Sequence, residues 1–199
     1  MNLRLRPVLF GLPLALALAG CISLGGEPPE SLLTLTPATR APAGPGAGGG
    51  EERPVIAVLP FDTPAKLDVL RVPVAVSETE LAYIKEAYWV EKPARLFRQL
   101  VGETIRAKGQ AMVVDGNEIA AMPTVTLQGT LIDMGFDAAT SEAVVRFDAV
   151  RIAKDGAVIT RRFEAREGGV TADARSVGAG LNAAANKVAA DVAEWVSAG

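Results

Sequence analysis

Histidine is absent from this 199-residue sequence, and cysteine occurs once, at Cys21. Without imidazole there is no Ser-His-Asp or Cys-His nucleophile system and no zinc site built on histidine. A lone cysteine excludes a disulfide within the chain and a thiolate metal cluster. Aromatic residues make up only 5%, so the few present are expected to serve packing. Cationic side chains are the minority, 20 Lys and Arg against 23 Asp and Glu, for a net charge of −3. A weakly acidic chain without a basic patch is a poor match for nucleic acid, or for anionic lipid by charge alone. The apolar run from Pro7 to Ala19 falls short of the roughly 20 residues of a membrane-spanning helix and contains Pro13.

That short run nevertheless has a purpose. Arg4 and Arg6 precede it and Leu18-Ala19-Gly20-Cys21 closes it, the three-part layout of a secretory signal. A leucine three positions before a lone cysteine matches a lipobox, at which the thiol is acylated and the chain is cut before the cysteine. An ordinary signal peptide with an incidental cysteine is the alternative. On the lipobox reading Cys21 is the mature N-terminus, and the protein is tethered by lipid in an extracytoplasmic space. Cleavage removes two arginines and no acid, leaving 18 basic against 23 acidic residues, a net charge of −5. Acylation also uses the only thiol, so no catalytic cysteine remains, and no cofactor or metal is expected.

Composition divides the chain into residues 1–20, the signal; 21–53, the lipidated N-terminus; and 54–199, a folded domain. Within the second part Ser31 to Thr36 is a short β-like run, followed by a Pro/Ala/Gly-rich stretch from Pro37 to Arg53 that reads as a flexible linker or long loop. Its glycines lack the Lys-Ser/Thr of a phosphate-binding loop, and Glu51-Glu52 would repel phosphate. In the third part, Val55–Leu59 is a continuous apolar run expected to form a strand buried on both faces. Val69–Val76 is broken by Pro73 and is expected at a sheet edge or as an irregular segment. Leu81–Trp89 fits a strand or a short helix, and extended structure is the preferred reading.

Pro93 opens a helix whose apolar stripe comprises Leu96, Phe97, Leu100, Val101, Thr104 and Ile105, with Gly109 as its C-terminal stop. Two period-two segments follow, Val125–Leu131 and Ala143–Ala149, and Asp155-Gly156 marks a hairpin between Val144–Ile152 and Ala157–Ala165. A last helix is expected from about Ala172 to Val196, capped by Thr171 or Asp173, with Val177, Leu181, Ala184, Val188, Val192 and Trp195 as its stripe. This pattern predicts an α/β fold, a single mixed, largely antiparallel sheet packed with two principal helices.

Few residues invite a chemical role. Glu78, Glu80, Glu86 and Glu91 supply carboxylates, but a catalytic pair needs a placed partner. Asp115-Gly116-Asn117-Glu118 lacks calcium-loop spacing and reads as a turn. Tyr83, Tyr88 and Trp89 could face lipid, although packing in the core is the preferred reading. The small face of the last helix (Gly178, Ala185, Ala189) could admit a second subunit; packing on its own sheet is expected instead.

The middle of the chain carries a more specific pattern. Leu70-Arg71-Val72-Pro73-Val74-Ala75-Val76-Ser77, Leu81-Ala82-Tyr83, and then Tyr88-Trp89-Val90-Glu91-Lys92-Pro93-Ala94-Arg95-Leu96-Phe97 resemble the ABC-type transport auxiliary lipoprotein family. In that family a segment ending in Trp, then Glu and Pro, leads into the first helix, as Trp89, Glu91 and Pro93 do. The resemblance implies a non-catalytic, periplasm-facing lipoprotein subunit of an MCE/Pqi-type ABC lipid transport system, a tether or adapter between membrane and transporter. It further implies partnership with an MCE-domain protein and with ABC permease and ATPase components, while a homo-oligomer stays open. Ile22 and Ser23, rather than Asp, follow Cys21, which resembles outer-membrane sorting. The alternative is a general envelope-assembly or structural lipoprotein without a transporter partner.

Overall fold

The computed structural model describes residues 31–44, 53–115 and 122–198. Among these, seven strands and two helices follow in the order β1 (Val55–Val58), β2 (Arg71–Ala75), β3 (Leu81–Tyr88), α1 (Pro93–Lys108), β4 (Met112–Asp115), β5 (Val125–Asp137), β6 (Glu142–Ala153), β7 (Val158–Glu167) and α2 (Ala174–Ser197). The architecture is the expected α/β arrangement of one mixed sheet with two helices. No described helix is long and apolar enough to cross a membrane.

β5 is the spine of the sheet. One side pairs antiparallel with β6 along its whole length, and β7 follows β6 through the hairpin at Asp155-Gly156, where Gly156 takes φ +88°. The other side is shared. β1 runs parallel to its first residues (Ile56 opposite Val125, Val58 opposite Leu127), and β2 runs parallel to its last (Val74 opposite Phe136). β4 extends β1, and β3 extends β2 antiparallel. β2 is therefore an interior strand and β3 the edge, contrary to the expectation drawn from Pro73. Proline is tolerated there because its missing N–H would face β5, and the β2–β5 ladder begins only at Val74, so no ladder bond is lost. Gly135 makes room on the β5 side, since a Cβ there would lie 2.6 Å from the Pro73 carbonyl oxygen.

Both helices cover one face of this sheet. α1 spans Pro93–Lys108, with proline in its first turn and Gly109 closing it at φ +69°. All six residues of its anticipated stripe are buried. α2 begins at Ala174 rather than 172, because the Asp173 carboxylate accepts a hydrogen bond from the Ser176 N–H (2.9 Å) and so fixes the first turn. Phe61, Phe97 of α1 and Phe147 of β6 form the centre of the core, with ring centroids 4.5–6.0 Å apart. A register shift between Leu131 and Asp133 keeps Leu131, Met134 and Phe136 all on the helix side, where simple alternation would have turned the last two outward. Arg151, on the same side and nearly buried, donates to the Val196 carbonyl at 3.4 Å. It thereby brings a cation to the C-terminal end of a helix whose own last turn has none.

The first described residues belong to this same unit. Leu33 forms an isolated parallel bridge to Trp89, and its side chain enters the notch left by Gly178 of α2, where a Cβ would lie 2.6 Å from Leu33 Cδ2. The Thr36 N–H donates to Asn182 Oδ1 (2.8 Å), the Ala38 N–H to Asn186 Oδ1 (2.7 Å), and the Ala41 N–H to Glu103 Oε1 (2.8 Å). Pro37 to Ala41, which composition alone reads as coil, is thus fastened to both helices.

Candidate functional surfaces

With the helices on one face, the other face of the sheet is left open by the described residues, and it has two halves of different chemistry. On β5–β6–β7 it is a network of ion pairs. Strand register places Asp148 opposite Arg162 and Arg146 opposite Glu164, the cross-strand geometry in which unlike charges stabilise a pair. Arg162 grips Asp148 with two hydrogen bonds of 2.6 Å. Arg146 reaches Glu164 at 2.6 Å and Asp133 at 2.9 Å, and Lys66 also donates to Asp133. Arg166 joins Glu164 (2.7 Å) and Glu142 (3.1 Å). Hydrogen bonding by Arg162 holds the Asp148 carboxyl below its usual range, and hydrogen bonds from Arg146 and then Arg166 do the same to Glu164. The guanidiniums of Arg162 and Arg166 are raised in return. A general acid needs the opposite displacement, toward neutrality of the carboxyl near pH 7. The hollow among Lys66, Asp133, Arg146 and Arg166 encloses about 80 Å³, small beside the ~300–1,000 Å³ of small-molecule sites.

The other half lies on β2–β3 and the segment that carries Leu33. Trp89 itself is 1% exposed and faces the helices with Leu33. Alternation turns the flanking side chains the other way, so Leu32, Tyr88 and Val90 share the open side with Arg71 and Tyr83. The Arg71 guanidinium sits over the Tyr83 ring at 4.3 Å from its centroid. Of the three aromatics expected in the core, only Trp89 is there. Tyr83 and Tyr88 are half-buried on the open face, because the bridge and the strand pairing put adjacent residues on opposite sides.

The other nominated residues are dispersed. Glu91 is half-buried and engages the first turn of α1, pairing with Arg95 (2.9 Å) and accepting from Gln99 (3.2 Å). Pro93 is buried at the start of that helix. Trp89, Glu91 and Pro93 thus meet at one joint between sheet and helix. Beside the joint, a hollow of about 370 Å³ is lined by Phe61, Lys92, Arg95 and Arg98, with Lys92 held by Asp68 at 2.7 Å. Glu78 and Glu80 sit in the exposed turn between β2 and β3. Glu86 takes φ +58° in a bulge of β3 and pairs with Lys85 at 3.4 Å. None of these carboxylates converges on another. Ala185 and Ala189 are fully buried, and Leu33 occupies the Gly178 notch. Cys21 lies outside the described residues, as does the turn expected at Asp115–Glu118 beyond Asp115.

A family model described as the ABC-type transport auxiliary lipoprotein component matches residues 33–193, a span from the Leu33 bridge almost to the end of α2. The chain belongs to that family. Protein XCC0632 from Xanthomonas campestris has a similar structure, with a TM-score of 0.71 at 18% identity over 84% of this chain and 95% of that one. A second solved structure, of an uncharacterised protein, gives a TM-score of 0.63 at 13% identity over 72% and 92% of the two chains. PelC from Paraburkholderia phytofirmans, solved as a dodecamer, is a looser match, with a TM-score of 0.42 at 18% identity over 69% and 84%. No curated protein matches the sequence. As a transport auxiliary lipoprotein, the chain is a component of the cell envelope associated with an ABC-type transporter.

Proposed function

We propose that this auxiliary lipoprotein is a non-catalytic, periplasm-facing subunit of an MCE-type ABC lipid transport system, anchored through acylated Cys21, in the outer membrane, and acting as an adapter between that membrane and the transporter. The observation that carries the reading is the family match across the whole sheet and both helices, joined to a chemistry in which the displaced carboxylates are all pushed toward charge. Ion-paired carboxylates stabilise a surface and supply no proton at neutral pH. Ser31 is the tenth residue after Cys21, which limits that distance to about 35 Å even fully extended. The domain therefore works close to its membrane, and the MCE-domain protein must come to it.

The test is a pull-down of the acylated protein from membranes, read by mass spectrometry, beside deletion of its gene and of the neighbouring MCE-protein gene. Co-purification of MCE, permease or ATPase components and matching envelope defects are expected. Unrelated phenotypes with no transporter component recovered refute the adapter role and leave a general envelope lipoprotein. Replacing Glu78, Glu80 or Glu91 singly should leave function intact in any variant that folds. Cys21→Ala should yield an unprocessed or mislocalised precursor, checked by the mass of the N-terminal peptide.

A further inference from the structure

We propose that the apolar half of the open sheet face, formed by Leu32, Tyr83, Tyr88 and Val90 around Arg71, rests on the headgroup boundary of the bilayer that holds the anchor. The inference rests on the lipid-anchored reading above and adds to it a second, non-covalent contact with the membrane.

Three observations point to lipid as the occupant. The first is chemical. Leu32 and Val90 are 51% and 53% exposed although both are large and apolar, and Leu81, on the same side of β3, is 44% exposed. Between them stand two tyrosines, each with an apolar ring and a polar tip, and a guanidinium over one of the rings. Side chains that are apolar at the base and polar at the end suit the layer where acyl chains give way to headgroups. The second is contrast. Past Leu81 the face is closed by the ion pairs of Lys66, Asp133, Arg146 and Arg166, which bound the patch on that side. The third is position. Leu32 is eleven residues from Cys21, so the patch begins where the chain leads back to its anchor, and Leu32 is no more than about 40 Å from it.

The nearby acids decide what kind of binding this is. Glu78, Glu80, Glu86 and Glu91 flank its residues in sequence, against Arg71, Lys85 and Lys92, so the contact is not driven by attraction to anionic lipid. It depends on buried apolar area and on the anchor, which keeps the face at high local concentration near the surface. Binding should therefore respond weakly to ionic strength and to the fraction of anionic lipid.

Because Cys21 is the only cysteine and is consumed by acylation, an introduced cysteine is the only free thiol for labelling. Full-length acylated protein carrying Leu32→Cys, Leu81→Cys, Val90→Cys or, as a control on the exposed side of α2, Ala190→Cys is labelled with an environment-sensitive nitrobenzoxadiazole dye. Each is reconstituted into vesicles of phosphatidylethanolamine and phosphatidylglycerol. Dyes at 32, 81 and 90 should brighten several-fold, shift to the blue and be quenched by brominated lipid, while the dye at 190 stays unchanged. Leu32→Ser with Val90→Ser should abolish the response at 81 while the protein still floats with the vesicles. Floating protein whose dyes at 32, 81 and 90 behave like that at 190 overturns the proposal and leaves the anchor standing. A blue shift that appears only after detergent-solubilised envelope proteins are added overturns it in favour of a protein partner. Loss of flotation with no acyl mass on Cys21 removes the anchor and the proposal together.

Discussion

Replacing Trp89 by alanine removes the largest fully buried side chain of the described core, at the joint where β3 passes into α1. The indole packs on the helix side, its backbone N–H donates to the Leu70 carbonyl at 2.7 Å, and its neighbour across the bridge is Leu33. The backbone contacts survive truncation; the ring volume does not. A buried Trp→Ala change costs about 3–5 kcal/mol, the sum of lost transfer energy and a cavity that collapses only in part. In a domain of this size that is a fall in Tm of about 6–20 °C. A second variant isolates the ring nitrogen. Trp89 Nε1 is buried with no acceptor among the described residues, and a desolvated donor costs about 1–3 kcal/mol. Trp89→Phe exchanges that cost for a smaller residual gap, so it should stay within about 1 kcal/mol of wild type. Urea denaturation followed by far-ultraviolet circular dichroism measures both. Equal losses in the two variants would mean that the indole N–H is engaged. A loss below about 1 kcal/mol for Trp89→Ala would mean that the ring is not a core residue.

Acid should weaken the fold through the open-face pairs. A carboxyl held below its ordinary value adds stability above its unfolded pKa and loses it as pH falls through the folded one. With Asp148 and Glu164 both lowered, the urea midpoint should be steady from neutral to about pH 5 and decline below about pH 4; a midpoint flat to about pH 2 refutes this, and Glu164→Gln should reduce the acid-side loss. Arg151→Met keeps most of the buried stem but removes the cation from the end of α2, and is expected to cost about 2 kcal/mol. Hydrogen exchange should then rise in the last turn of α2 before anywhere else. Gly129→Ala places a methyl 2.2 Å from the Asp148 carbonyl oxygen and 2.6 Å from the Phe147 ring. Overpacking of this kind costs about 1–3 kcal/mol, and wild-type thermal stability in that variant would refute the close approach.

Local rules carried the elements a long way. The bounds of α1 follow from Pro93, Gly109 and one apolar stripe, and the hairpin from Asp155-Gly156, because each is decided by neighbours in sequence. What escaped depends on distant partners. Pro73 argues for an edge until β5 is known to pass on its other side with Gly135 at the crossing. Met112–Asp115 is too short to announce itself and becomes β4 only by pairing with β1. The ion-paired surface was partly legible, since Arg146, Asp148, Arg162 and Glu164 alternate on two strands whose hairpin fixes their register. The split between Trp89 and its two tyrosines was not. It needs the Leu33 bridge, whose residues lie more than fifty positions apart.

The fastening of the first described residues to the last helix imposes an order on the life of the molecule. Thr36 and Ala38 find their hydrogen-bond partners 146 and 148 residues later in the chain, and Leu33 finds its notch at Gly178. Contacts of such long sequence separation close late in folding. For a chain made N-terminus first, the segment that emerges earliest is seated last, when α2 has followed it. Until then this first segment is attached to an unfinished domain, with the Gly178 notch unfilled. A truncation that loses α2 leaves this first segment only its bridge to Trp89 and the Ala41–Glu103 hydrogen bond to α1.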